Sequence, residues 1–247
     1  EGPRNFWTLA DGETIPVSKS QHFMLGATHL IGNYDFNIEV FYKKYEGLSE
    51  FTQQTRPIRN EEGTGLILVL EQEFHTGSGT ASGVELFLQK NIGDLTGWTS
   101  YTFSEVLYDF PTVSDTTYFA DQDTTHEFKT VLMYRWRDWD FASTFIYATG
   151  RPYTEVLGVA DDTFPATYEV GKKNDERFDA YHRLDLSATY NFQLLGGDGT
   201  LGISLFNIYD RKNQWYTEYE ILEGEILETE VNYRGFTPSL FISWNLY

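Results

Sequence analysis

The chain predicts an all-β, antiparallel fold. Three observations carry that reading: apolar and polar residues alternate with period two, helical periodicity is nearly absent, and tight-turn residues separate the alternating runs. The runs fall at 20–31, 34–43, 84–90, 95–107, 124–137, 139–149, 182–192, 200–209 and 235–246, which makes nine strands.

The elements justify themselves in order. The first run turns at Gly32-Asn33 into the second. There Tyr34, Phe36, Ile38, Val40 and Tyr42 fall on one face, with Asp35, Asn37, Glu39, Phe41 and Lys43 on the other. Asn91 to Asp94 joins the third run to the fourth, and Arg137-Asp138 joins the fifth to the sixth. In the seventh, Leu184, Leu186, Ala188, Tyr190 and Phe192 alternate with Arg183, Asp185, Ser187, Thr189 and Asn191; Leu194 to Gly199 then leads into the eighth. The last run alternates Phe236, Pro238, Leu240, Ile242, Trp244 and Leu246 with Gly235, Thr237, Ser239, Phe241, Ser243 and Asn245. Its terminal Tyr247 is out of phase with that apolar set. Each short connection has hairpin chemistry. Long polar connections are expected at 47–65, 108–123, 151–180 and 211–233, so short and long alternate strictly. A meander with tight turns at one end and long loops at the other is the layout of an outer-membrane barrel.

Two architectures fit such alternation: a soluble sandwich, which buries one face of each sheet, and a barrel in lipid. Aromatics favour the barrel. Tyr34, Trp136, Trp139, Phe192, Trp244 and Tyr247 gather near the tight turns, and Tyr42, Tyr101, Phe103, Tyr147 and Tyr209 near the long connections. Two such girdles bracket an apolar band where rings meet headgroups. The opposite face carries Glu39, Lys43, Glu85, Arg183 and Asp185, which suits a wet lumen.

Composition narrows the function. With 18 Lys plus Arg against 37 Asp plus Glu, the net charge is −19, which argues against a phosphate backbone as partner. Zero cysteine removes disulfides, thiol catalysis and Cys-ligated metals. No stretch has the apolar length of a membrane helix, a test that does not bear on barrel strands. The five histidines lack metal-ligand spacing, and no nucleophile elbow is present. Gly77, Gly79 and Gly83 precede no helix that could cradle phosphate, and read as a flexible approach to the strand containing Val84.

Several stretches resemble a known family, the TonB-dependent outer-membrane receptors, especially those of Bacteroidota. They are Gly79-Thr80-Ala81-Ser82-Gly83-Val84-Glu85-Leu86, Gly93-Asp94-Leu95-Thr96-Gly97-Trp98-Thr99-Ser100-Tyr101-Thr102 and Tyr147-Ala148-Thr149-Gly150-Arg151-Pro152-Tyr153-Thr154. Tyr181-His182-Arg183-Leu184-Asp185-Leu186-Ser187 and Ser204-Leu205-Phe206-Asn207-Ile208-Tyr209-Asp210-Arg211 follow, then the terminal strand. The resemblance spans residues 20–247 and implies a plugged barrel of about twenty-two strands. On that expectation residues 1–247 form the C-terminal part of one transmembrane barrel domain, with plug and earlier strands elsewhere. Long loops are then extracellular, and the tight turns and C-terminus periplasmic.

The implied function is TonB-energised uptake of a scarce extracellular ligand, without enzyme activity, cofactor or metal. A passive porin or adhesin barrel, a soluble carbohydrate-binding sandwich and a barrel hydrolase are the other classes. Expected partners are outer-membrane lipid and lipopolysaccharide, the plug and barrel remainder of the same receptor, the TonB complex and an unidentified small ligand, with a surface lipoprotein as a further candidate. Nucleic acid is not among them.

Candidate ligand contacts lie in loops and lumen. The five loop stretches, residues 1–19 and the four long connections, hold most of the −19 charge. Asp121 and Asp123, like Asp161 and Asp162, have a calcium-binding residue type without a complete calcium loop. Trp7, Trp215, Tyr216 and Tyr219 have faces suited to a flat or sugar-like ligand, or to packing loop on loop. The Arg183–Asp185 pair faces the expected lumen, where it suits plug or ligand, and Arg151 sits where the sixth strand enters its loop. Six Glu between 218 and 230, interleaved with Ile221, Leu222, Ile226 and Leu227, suggest a hairpin standing above the membrane.

Overall fold

A computed structural model describes residues 10–12, 15–59, 66–160 and 167–246. The strands are β1 (Lys19–Ile31), β2 (Tyr34–Arg59), β3 (Leu66–Lys90), β4 (Leu95–Asp109) and β5 (Tyr118–Phe119). Then come β6 (His126–Trp136), β7 (Trp139–Ala148), β8 (Pro152–Tyr153), β9 (Val156–Val159), β10 (Tyr168–Val170) and β11 (Glu176–Arg177). The last five are β12 (Tyr181–Leu194), β13 (Gly197–Phe206), β14 (Gln214–Leu222), β15 (Glu225–Asn232) and β16 (Thr237–Leu246). Nine of these form one wall in the order β1-β2-β3-β4-β6-β7-β12-β13-β16, every neighbour antiparallel. They are the nine expected strands.

Turn chemistry sets the registers. Gly32 at φ 58° starts the β1–β2 turn and Arg137 at φ 54° the β6–β7 turn. Leu195 and Gly196 both adopt positive φ (51° and 75°), the mirror-image conformation that a two-residue hairpin demands. These registers align one face across the wall. Ala27, Ile38, Leu86, Tyr101, Phe128, Tyr147 and His182 form one row of direct partners; Tyr134, Phe141, Ala188, Ile203 and Leu240 form another. The other face holds Glu39, Glu85, Thr102 and Glu127 in line. One face is therefore apolar and the other polar, although among the described residues neither is covered by a second sheet.

That absence of a second layer removes the soluble sandwich. Among the described residues, the buried apolar side chains are few, Ala81, Phe110, Tyr118, Ala120 and Pro152, whereas Leu25, Leu240 and Ile242 are 78%, 74% and 71% exposed. A sandwich core would draw on every strand's inner face; here the strands keep their apolar face open. Both girdles form. Trp139 contacts Tyr190 at 4.9 Å beside the tight turns. At the other end the Tyr101 hydroxyl meets His126 Nδ1 at 2.8 Å, and the Tyr209 hydroxyl meets His182 Nδ1 at 2.9 Å.

The connections depart from expectation in one place. Residues 47–65 read as a loop, but β2 and β3 continue as a paired ladder as far as Arg59↔Leu66, with a bulge between Glu46 and Leu48. Gly47 at φ 68° absorbs the extra residue. At 26 residues β2 is roughly 85 Å long, far more than the 9–11 residues that cross a membrane. Beyond the apolar band the sequence stops alternating, and the ladder continues on backbone pairing alone. The expected hairpin within 211–233 is present as β14–β15, turning at Glu223 and Gly224 with φ 54° and 84°.

The glycines of β3 require a correction. Gly77, Gly79 and Gly83 are strand residues rather than a flexible approach. A Cβ at Gly77 would lie 2.6 Å from the Phe110 ring, and one at Gly83 2.7 Å from the Phe41 ring. The missing side chains give neighbouring aromatics their place.

Candidate functional site

The long connections between β4 and β12 fold into a cap against the upper part of β2–β4. β5 doubles back on β4, pairing Leu107 with Phe119 and Tyr108 with Tyr118. That return packs Phe110 edge-on to Tyr108 at 5.9 Å and puts Phe110 and Ala120 out of solvent. His75, buried beneath, is bonded on both ring nitrogens, to Thr52 and Thr112 hydroxyls, each at 2.8 Å.

Polar groups close the cap. The Asp123 carboxylate is fully buried and accepts from the Val106 amide at 2.7 Å, Arg177 Nη2 at 2.6 Å and the Thr125 hydroxyl at 3.1 Å. Arg177 also donates to the Gly150 carbonyl and lies 4.4 Å over the Phe119 ring. Asn174, itself buried, donates to the Phe119 carbonyl and to Asp121 Oδ1. Lys173 reaches Glu50 at 3.1 Å and Asp121 at 3.9 Å. The Tyr118 hydroxyl donates to Glu50 at 2.8 Å; burial first, and then that bond, push its pKa up. Asp121 and Asp123 are thus engaged by cations and amides of the chain itself. Among the described residues no cluster of His, Cys, Asp or Glu has the geometry to hold a metal.

A second group joins the inner wall to the β14–β15 hairpin. Arg183 donates from Nε to Asp185 at 3.0 Å and from Nη1 to the Tyr181 hydroxyl, with its guanidinium 4.0 Å over Phe206. Asp185 also accepts the amide of Asn207, a fully buried residue whose side chain donates to the Arg211 carbonyl and accepts the Arg211 amide. Asn213 fastens the hairpin base through both backbone polar groups of His182. Arg151 donates to the Trp215 carbonyl at 2.8 Å. Trp215 stacks on Tyr233 at 5.6 Å and meets Tyr216 edge-on at 5.2 Å. Tyr219 touches Tyr168 at 6.4 Å, and burial followed by the Glu228 charge raises its pKa. Trp7, Asp161 and Asp162 lie outside the described residues.

The structure therefore gathers Arg151, Arg183, Asp185, Trp215 and Tyr216 on one side, Asp121 and Asp123 in the cap, and Tyr219 farther along the hairpin. Sequence reasoning missed Glu50, Lys173, Asn174 and Arg177, although a lone Arg amid acidic loop residues is a signal for a buried partner. It also missed Tyr181 and Tyr233, whose rings join wall to hairpin. Two clefts accompany these groups. One of about 620 Å³ lies between residues 111–119 and 171–175 and is partly polar. Another of about 450 Å³, floored by Leu132, Phe141, Leu186 and Ile203, is a depression of the apolar outer face.

A single-layer antiparallel wall, apolar outside and polar inside, with tight turns at one end and a built cap at the other, defines part of a membrane barrel. The chain belongs to the TonB dependent receptor-like, beta-barrel family, whose model matches residues 18–208. That family comprises outer-membrane receptors and transporters, not enzymes. Among solved structures, the FrpB iron transporter from Neisseria meningitidis (F3-3 variant) is similar in fold, with a TM-score of 0.52 and 15% identity. The match covers 91% of this chain and 31% of that one, so the chain spans about a third of the transporter's length. No curated protein matches the sequence.

Proposed function

We propose that residues 1–247 are the C-terminal part of one outer-membrane barrel domain of about twenty-two strands, belonging to a receptor that takes up a scarce extracellular ligand by TonB-energised transport. The supporting observation is the wall: among the described residues, nine strands whose apolar face meets no second layer and whose first and last members each have one neighbour. Unpaired backbone groups are costly in hydrocarbon, so such a sheet requires further strands to close it. In this reading the long connections are extracellular and the tight turns periplasmic. Arg183 and Asp185 line the lumen, where the plug or the descending ligand meets them. Trp215, Tyr216, Tyr219 and Arg151 face incoming ligand, and Asp121 and Asp123 brace the cap. Lipid and lipopolysaccharide cover the outer face, the TonB complex acts from the periplasm, and a surface lipoprotein is a further candidate partner.

Planar-bilayer conductance in potassium chloride tests the reading against a passive porin. The intact receptor carrying this chain is expected to hold no steady current until its plug is unfolded by urea. Steady conductance of the untreated receptor would discard energised transport.

A further inference from the structure

The depression on the outer face has a definite build. Ala188 stands between its direct partners Phe141 and Ile203, and Ser143 between Leu132 and Leu186, so two short side chains lie diagonally among four long ones. The result is a trough of about 450 Å³ with apolar walls. A water takes about 30 Å³ of liquid and a methylene is of similar size, so the trough holds roughly fifteen such groups. Its lower end meets the aromatic row beside the tight turns. Trp139 lies 5.8 Å from Phe141 with the rings 9° from parallel, and pairs with Trp136 across the hairpin. The Arg137 guanidinium rests 5.2 Å over the Trp136 ring. Arg135, two residues back, is engaged by Asp140 at 2.9 Å. Arg137 and Asp138 are both exposed, and among the described residues neither has an ion-pair partner. Phe141 is only three residues from Asp138, roughly 10 Å of strand.

We propose that the trough and the β6–β7 turn together form a binding site for one phosphatidylethanolamine, with an acyl chain in the trough, the phosphate on Arg137 and the free ammonium toward Asp138. The inference rests on the membrane reading above and adds to it a site for a particular lipid. Within hydrocarbon an acyl chain gains nothing by leaving water, so close packing along the trough and the headgroup contacts supply the preference. A guanidinium takes a phosphate through paired N–H donors, and its seat over the Trp136 ring holds it at the level of the aromatic row. The neighbouring carboxylate selects among headgroups. Phosphatidylglycerol brings an anion with no cation to face Asp138. The quaternary ammonium of phosphatidylcholine has no N–H to donate to it. A second copy of the chain fits the trough less well, because Phe141 and Ile203 flank Ala188 and meet a neighbouring wall first.

The test uses the full receptor in detergent micelles, stripped of lipid and titrated with phosphatidylethanolamine, phosphatidylglycerol, phosphatidylcholine and lipopolysaccharide. Native mass spectrometry counts the bound lipids. The tightest-bound lipid is expected to be phosphatidylethanolamine. Arg137→Ala should weaken it about tenfold, the scale of one charge-assisted hydrogen bond, and Arg137→Lys should restore part of the loss. Asp138→Asn should erase the preference over phosphatidylglycerol. Ala188→Phe fills the trough and should release that lipid, and heat-modifiable migration on gels confirms that each variant keeps its barrel. In vesicles, phosphatidylethanolamine with brominated chains should quench tryptophan fluorescence, and Trp139→Phe should remove part of the quenching. Equal binding of the three phospholipids, preference for phosphatidylglycerol or lipopolysaccharide, indifference to Arg137→Ala or Ala188→Phe, or a receptor dimer that Ala188→Phe dissociates overturns the proposal. Quenching of Trp139 alike by brominated lipids of every headgroup removes only this site; no quenching of it by any of them removes the membrane reading of the outer face itself.

Discussion

Arg177→Ala should open the cap while leaving the wall intact. The substitution strips a charge partner from the Asp123 carboxylate, which is wholly out of solvent, while the Arg177 side chain is 27% exposed. Below a third exposure, solvent screening removes little of the interaction, and the pair is short at 2.6 Å. Removing one member of a buried pair costs about 3 to 5 kcal/mol because the other charge is left uncompensated. The Val106 amide and Thr125 hydroxyl still serve Asp123, which favours the lower figure. About 3 kcal/mol corresponds to roughly a hundredfold rise in the opening equilibrium of the cap. Hydrogen exchange measures it directly. Val106 donates to Asp123 and Phe178 donates to Arg151 across the same junction, so both amides should exchange roughly a hundredfold faster, with β12 amides unchanged as internal reference. Asp123→Asn, which removes the charge but keeps an acceptor for Val106, should give a smaller acceleration. Unaltered exchange at Val106 and Phe178 in both variants would refute the claim that this pair holds the connections together.

Two further perturbations probe separate features. Gly83→Ala brings a methyl group to 2.5 Å from the Phe103 carbonyl oxygen and 2.7 Å from the Phe41 ring and should destabilise the wall by about 1 to 3 kcal/mol, seen as a lower guanidinium midpoint; Phe41→Leu in the same chain should recover only the part due to the ring. For Tyr118, burial and the bond to Glu50 hold the folded pKa above the ordinary tyrosine value of 10.0. Its stabilisation is therefore complete below about pH 10 and declines as pH rises through the folded pKa. Nicking of residues 110–123 by an alkaline-active protease should accelerate above about pH 10 in the native chain. Tyr118→Phe should show faster nicking at neutral pH and no such alkaline rise, so an unchanged alkaline rise would sink the assignment.

What sequence made legible follows from where solvent changes. Within the apolar band each strand has one face in hydrocarbon and one in water, so alternation marks all nine wall strands and their tight turns. Above the band the ladder continues without that alternation. Ser49 to Thr55 are paired with Leu70 to Thr76, yet the polar run Ser49, Glu50, Thr52, Gln53 and Gln54 gives no alternation to read. The β14–β15 hairpin is legible because six Glu between 218 and 230 interleave with Ile221, Leu222, Ile226 and Leu227, and the structure puts its turn at Glu223 and Gly224. The cap was not, since Asp123 meets Arg177 across 54 residues of chain and Asn174 meets Phe119 across 55. Acidic loop residues look alike in sequence, whether one is buried against a guanidinium or wet. Only the fold separates Asp123 from Asp115, which is exposed.

The exposed area shows what the wall requires. A soluble monomer of 28.6 kDa exposes roughly 11,300 Å² by the scaling of folded proteins, whereas this chain exposes 17468 Å². The excess is not spread over polar loops, because Phe23, Leu25, Val40, Leu132, Leu240 and Ile242 all stand open on one aligned face. At about 25 cal/mol per Å², area of that kind is too expensive to leave in water beside a core of Ala81, Phe110, Tyr118 and Ala120. A net charge of −19 and mean hydropathy of −0.41 do not contradict this, since both average acidic connections with an apolar band only one face wide. In the reading proposed above, hydrocarbon on its outer face and strand partners at its two edges supply the stability of the wall, while the cap carries its own small core and ion pairs.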